Sequence, residues 1–186
     1  MKFPGGKGQT YHRLINLIPP HEVYIETHLG GGSVIRNKLP ARKNIAIEID
    51  PKVINRWKRS GIALNFDLIQ DDAIQFLKNY SFQGNEFIYC DPPYLRTTRK
   101  KKDKLYRYEY TYHMHVELLK LLKTLPCMIM ISGYESNLYT KMLKDWNTYL
   151  YKSATHNGMV TEWVWMNYPS PTELHDYRYL GDNFRQ

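Results

Sequence analysis

The stretch EFIYCDPPY, residues 86–94, contains an unbroken apolar or neutral run, 87–90, that stops on a carboxylate, Asp91. A run without polar alternation is the pattern of a strand covered on both faces. Two prolines follow it. Proline fixes φ and has no N–H, and it pushes the residue before it out of the helical region. The run therefore ends in a stiff elbow, with an acid held at the end of a strand.

The same kind of segment recurs on either side. VYIET (23–27), NIAIEI (44–49), IALNFD (62–67), CMIMIS (127–132), TYLYKS (148–153) and TEWVWMNY (161–168) all read as strands. Helix-like segments separate them at 9–17, 33–39, 51–60, 72–79, 115–123 and 136–145, with His115 read as a helix-start residue. Such alternation predicts an α/β fold with a doubly wound, mostly parallel sheet and helices on both faces. Sheets of this kind bind ligands beyond the carboxyl ends of their strands. Glu26, Glu48, Asp67 or Asp72, and Asp91 fall at the ends of the first four runs. The expected sheet brings these acids to one edge.

A chain of 186 residues is about one domain's worth, and residues 1–186 are read as a single unit. Lys and Arg number 26 against 18 Asp and Glu, a net charge of +8 that suits a polyanionic partner such as nucleic acid. Residues 95–112 are basic and tyrosine-rich without a clear period, and they read as an exposed insert after the elbow. The only cysteines, Cys90 and Cys127, lie in apolar runs and read as small core residues. No apolar stretch reaches transmembrane length, and MKFPGGKGQTYHRL has no signal-peptide core, so the expectation is a soluble, cytoplasmic protein.

Four further segments carry chemistry. In ETHLGGGSV (26–34) a carboxylate precedes three glycines, Gly30, Gly31 and Gly32. Glycines let a backbone approach a ligand closely, but an acid before them repels a pyrophosphate and suits a cation. A plain tight turn is the alternative. In AIEIDP (46–51), Glu48 is placed to accept ribose hydroxyls, and Asp50 before Pro51 is good capping chemistry. FPGGKGQ (3–9) offers Lys7, which can neutralise a carboxylate or stay an exposed turn residue. In DDAIQFL (71–77), either acid can cap a helix and one can meet an adenine amino group. The elbow itself presents the Asp91 carboxylate and the Pro92 carbonyl as adjacent fixed acceptors, a match for the two hydrogens of an NH2 group. Tyr94 is placed to stack on a flat base.

Taken in order, FPGGK, ETHLGGGSV, EID, DDAIQFL, IYCDPPY, MISGY and TEWVWMNY resemble the D12-class, Dam-like adenine-specific DNA N6-methyltransferases. The resemblance implies a Rossmann-like methyltransferase sheet of about seven strands, the last antiparallel. It implies methyl transfer from S-adenosylmethionine to the N6 amine of an adenine flipped out of double-stranded DNA, with no metal. By motif position, Phe3, Pro4, Gly5, Gly6, Lys7, Glu26, His28, Gly30, Gly31, Gly32, Glu48, Ile49, Asp72, Ala73 and Asp91 correspond to cofactor contacts. Asp91, Pro92, Pro93 and Tyr94 correspond to the catalytic set.

Two departures stand out. The family's Glu-Pro-Phe is here Glu26-Thr27-His28, so an imidazole replaces the usual aromatic contact unless His28 is a surface loop residue. Only residues 78–87 fill the gap where the family carries its target-recognition insert. Arg96, Arg99, Lys100, Lys101, Lys102, Lys104 and Arg107, interleaved with Tyr106, Tyr108, Tyr110 and Tyr112, are the expected replacement, holding phosphates and stacking on an opened strand. A separate specificity partner is the other route. Methylation of an RNA adenine or a cytosine N4, and a silent nucleic-acid-binding homologue, are the competing readings.

Overall fold

The computed structural model describes residues 6–99, 106–155 and 158–179. The expected contacts Phe3, Pro4, Gly5, Lys100, Lys101, Lys102 and Lys104 lie outside them. The strands are β1 (Val23–Glu26), β2 (Lys43–Glu48), β3 (Asp67–Gln70), β4 (Glu86–Cys90), β5 (Met128–Gly133), β6 (Asn147–Thr155) and β7 (Gly158–Met166). The helices are α1 (Tyr11–Ile15), α2 (Pro51–Arg59), α3 (Ala73–Asn79), α4 (Tyr112–Leu122) and α5 (Asn137–Met142).

One seven-stranded sheet has the order β3-β2-β1-β4-β5-β7-β6. The first five of these pair in parallel, and β7 runs antiparallel to both β5 and β6. This is the doubly wound sheet with an antiparallel last strand that the sequence implies. The period of two along a strand explains the unbroken apolar runs. Phe87 and Tyr89 of β4 join the core on one face with Leu14, Ile15 and Trp57 of α1 and α2. Ile88 and Cys90 join the core on the other with Leu77, Leu118 and Tyr139 of α3, α4 and α5. Cys90 and Cys127 are free and buried. Among the described residues no helix is long and apolar enough to cross a membrane.

Capping follows the expected chemistry. Asp50 accepts from the Lys52 amide with Pro51 opening α2, Asp72 accepts from Ile74 and Gln75, and Ser136 accepts from Tyr139. Three expectations need correction. The third strand occupies Asp67–Gln70 rather than 62–67, because Ile62 and Leu64 are exposed and only Phe66 turns inward, edge-on to Trp57. Asp67 therefore opens β3 and leaves the acidic edge to Glu26, Glu48, Asp72 and Asp91. Residues 33–39 form turns instead of a helix, because the Ile35 amide donates to the Glu26 carboxylate at 3.0 Å rather than to the preceding turn. Finally, α4 starts three residues earlier than expected, capped by Thr111, so His115 is a fully buried mid-helix residue.

Candidate active site

Strand order reverses between β1 and β4, which leave their shared boundary in opposite directions. A crevice opens at such a switch point, outside the carboxyl ends of the strands. Here it is a cleft of about 360 Å³, within the roughly 300–1,000 Å³ typical of small-molecule sites. Glu26 ends β1, Glu48 ends β2 and Asp91 follows β4, and all three line it.

Lys7 is the hub of one end of the cleft. Its backbone carbonyl accepts from Thr10 and Tyr11 at the start of α1, which aims the side chain inward. The side chain is 4% exposed, and its ammonium donates to both oxygens of Asp91, at 2.8 and 2.9 Å, and to the Tyr94 hydroxyl at 2.6 Å. It also lies 3.3 Å from Glu162. Ser132, at the carboxyl end of β5, donates to Asp91 Oδ1 at 2.7 Å. Burial alone would depress the Lys7 pKa, but Asp91 and Glu162 outweigh it and hold it well above the usual lysine value. A carboxylate offers about four lone-pair sites. Three hydrogen bonds from Lys7 and Ser132 orient Asp91 and leave acceptor capacity toward the cleft. Pro92 is buried, and Pro92 and Pro93 line the cleft beside it. Tyr94 packs edge-on to Tyr134, with ring centroids 4.6 Å apart.

The glycine loop forms the other end. Gly30 and Gly32 adopt positive φ of 48° and 59°. A Cβ on Gly32 would stand 2.7 Å from the Trp57 ring, so no other residue fits without displacing it. Trp57 also donates its indole N–H to the Gly30 carbonyl at 2.9 Å. Glu48 accepts from the amides of Gly30 and Asp50, each at 2.9 Å, and burial raises its pKa. Glu26 is 3% exposed and accepts from the Tyr24 hydroxyl at 2.8 Å and the Ile35 amide. Burial above all pushes its pKa up to about 8, with the Asp91 charge adding to the shift. Gly6, Gly31, Ile49, Asp72 and Ala73 complete the expected set along the cleft wall.

His28 is half-buried rather than a surface loop residue. Its ring nitrogens pair with the Thr27 and Tyr110 hydroxyls at 2.8 and 2.9 Å, and burial lowers its pKa to about 3. It stands edge-on to Tyr110, which is itself buried against His115, so Tyr110 has no face for an incoming strand. Tyr106, Arg107 and Tyr108 line the cleft as a rim. Arg107 reaches Asp50 at 3.2 Å and stays half exposed, and Arg96 is exposed. Arg99 is different. Its side chain is 7% exposed and grips Glu109 through both terminal nitrogens at 2.9 and 2.7 Å, with a further bond to the Tyr94 carbonyl. Its guanidinium braces the elbow instead of facing solvent.

Sequence reasoning singled out none of Trp57, Ser132, Tyr151 or Glu162. Glu162 had a usable signal: a lone carboxylate inside the apolar strand TEWVWM needs a partner, because an unpaired buried charge is costly.

The fold and the placement of this cleft are of the Rossmann-like methyltransferase kind. The family model for D12 class N6 adenine-specific DNA methyltransferases matches residues 64–158. The chain belongs to that family. The match includes Asp91 to Tyr94 and Ser132, while Lys7, Glu26, Glu48 and Glu162 lie outside it. Solved structures share the fold at low identity. An rRNA methylase from Streptococcus thermophilus is 16% identical, with 89% of this chain and 97% of that one covered and a TM-score of 0.54. A candidate methyltransferase from Streptococcus mutans, in complex with SAH, is 15% identical over 89% and 98%, with a TM-score of 0.56. Magnesium protoporphyrin IX methyltransferase from Synechocystis PCC 6803, with bound SAM, is 14% identical over 86% and 79%, with a TM-score of 0.52. No curated relative matches the sequence.

Proposed function

We propose that this protein methylates the N6 amine of adenine in DNA, with S-adenosylmethionine as donor. The observation that carries the reading is the Asp91 carboxylate, fixed by Lys7 and Ser132 at the mouth of a glycine-walled cleft beside Pro92. The cleft fits the donor. Gly30, Gly31 and Gly32 bring bare backbone to its wall, Glu48 is an acid for ribose hydroxyls, and Glu26 is a buried acid for an ammonium. The chemistry supplied by bound S-adenosylmethionine would be an electrophilic methyl on cationic sulfur: the sulfur–methyl bond breaks as the nitrogen–methyl bond forms, the sulfur leaves as a neutral thioether, and the positive charge gained by the amine is lost with one of its protons, by way of Asp91 to solvent.

Everything else is the work of this chain. Asp91 and the Pro92 carbonyl accept the two amine hydrogens and free the nitrogen lone pair from the ring. The Pro92-Pro93 elbow keeps the two acceptors in register, and this positioning, with charge placement, is the main source of rate. Tyr94 supports the base. Extruding a base from the duplex costs a few kcal/mol, and Arg96, Arg107 and the Tyr106 and Tyr108 rings are the groups beside the cleft that can offset it. With so small a reader, sequence specificity is short or loose, or a partner supplies it.

The test is transfer of a labelled methyl group to unmethylated DNA, with wild type beside Asp91→Asn. Wild type is expected to label adenine N6, and the variant to stay folded, bind the donor and lose transfer by at least about 100-fold. Label on RNA alone, or on cytosine, would overturn the substrate.

A further inference from the structure

We infer that Glu162, which does not touch the cleft, is a positioning residue for the methyl transfer proposed above, holding Tyr94 and Lys7 so that Asp91 meets the amine in a single orientation. One oxygen carries the whole arrangement. Glu162 Oε2 accepts from the Tyr94 hydroxyl at 2.8 Å and the Tyr151 hydroxyl at 3.0 Å, and stands 3.3 Å from Lys7. Tyr151 and Glu162 are directly paired across β6 and β7, so their side chains share a face. Glu162 is 6% exposed and absent from the cleft lining, whereas Lys7, Asp91 and Tyr94 all line it. It acts only through them.

A purely architectural role does not account for this residue. Removing a carboxylate from water costs several kcal/mol, and an apolar side chain of similar volume usually stabilises a fold as well or better. What the carboxylate adds is charge and direction. The formal charges of Lys7, Asp91 and Glu162 sum to −1, where Lys7 and Asp91 alone would cancel. The residual negative charge faces the nitrogen on which positive charge develops. Glu162 also takes the Tyr94 hydroxyl hydrogen, so Tyr94 presents only its oxygen to Lys7.

The experiment compares wild type, Glu162→Gln, Glu162→Asp, Tyr94→Phe and the Glu162→Gln/Tyr94→Phe double variant. It measures single-turnover methyl transfer at saturating DNA and donor, donor Kd, and thermal unfolding. Glu162→Gln is expected to lower the rate by about 10- to 100-fold, less than the roughly 10²–10³ of a directly contacting donor. Donor Kd should stay within about twofold and the protein should remain folded, with Glu162→Asp recovering part of the rate. The double variant should be no slower than the slower single, because both break one unit. A Glu162→Gln rate within about twofold of wild type, losses that track unfolded protein, or additive losses would overturn the inference.

A second arm needs no activity. In a Lys7→Met background, Glu162→Gln should raise the melting temperature by removing a buried unpaired carboxylate. A lowered melting temperature would sink the network. If wild type methylates no DNA, the substrate reading fails while this arm still decides the network.

Discussion

Two buried carboxylates, Glu26 in the cleft wall and Glu162 behind Lys7 and Tyr94, have opposite fates. Glu162, 6% exposed, has its pKa held below the ordinary value. Burial works against it, but Lys7 and the hydroxyls of Tyr94, Tyr151 and Ser153 prevail. Glu26, 3% exposed, is pushed up to about 8 by burial. It accepts from a hydroxyl and an amide, and the nearby charge of Lys38 lowers its pKa too little to offset burial. Burial alone does not decide the charge of an acid; a cation in contact does. The protein completes Glu162 itself and leaves Glu26 to be completed by a proton or by a cationic ligand.

The sharpest way to break this comparison is to remove the cation. Lys7→Met strands Asp91 and Glu162 together, and losing one partner of a buried pair costs about 3–5 kcal/mol. Urea unfolding should show that loss, and methyl transfer should vanish. Unchanged stability would mean that Lys7 is not the group completing Glu162.

Next in size is the glycine wall on the Glu26 side. Gly32→Ala puts a Cβ 2.7 Å from Trp57 at a positive φ. Overpacking of this kind costs about 1–3 kcal/mol. Calorimetry should also show weaker donor binding, and normal affinity would mean that the loop is not the donor wall.

The third prediction uses the pKa of Glu26 directly. Its folded pKa of about 8 lies above its ordinary 4.5, so the native state holds an extra proton between those values. Stability from this group therefore falls as pH rises through that window. His21 and His115, lowered by burial to about 4 from 6.5, work in the opposite sense below pH 6.5. Lys38, coupled to Glu26 and lowered by burial to about 8 from 10.5, works in the opposite sense above pH 8, so the Glu26 slope is cleanest between pH 6.5 and 8. Melting temperature of the ligand-free protein should decline across that interval, and Glu26→Gln should flatten the decline. Donor binding near pH 7 should release a proton, visible as a dependence of binding heat on buffer ionisation enthalpy.

The smallest effect belongs to the rim. Arg107→Ala removes one half-exposed cation. DNA affinity should weaken modestly at every sequence, and the slope of log K against log salt should shrink by about one. Arg99→Ala should instead destabilise the elbow, because that guanidinium is committed to Glu109 and the Tyr94 carbonyl.

Much of this was legible before any coordinates. The unbroken runs around Ile25, Ile47 and Ile88 forecast strands covered on both faces, and Asp91-Pro92-Pro93 forecast a carboxylate held at a strand's end. Asp50 before Pro51 declared its helix and Asp71-Asp72 declared the next, with either acid able to cap it, because capping is a contact between near neighbours. The errors arose where a distant group won. Residues 33–39 carry a helical pattern, yet Glu26 captures the Ile35 amide. Residues 62–65 are apolar enough for a strand, yet β3 pairs with β2 only from Asp67 onward.

What the sequence by itself determined was the order of elements and the acids at the strand ends, since both follow from periodicity and local backbone chemistry. Tertiary structure alone decided which acids are paired. Lys7 meets Asp91 across 84 positions of chain, and Tyr94 meets Glu162 across 68. Contacts at such separations leave no local pattern, because they exist only once the parallel sheet has gathered its carboxyl ends and β7 has folded back beside β5.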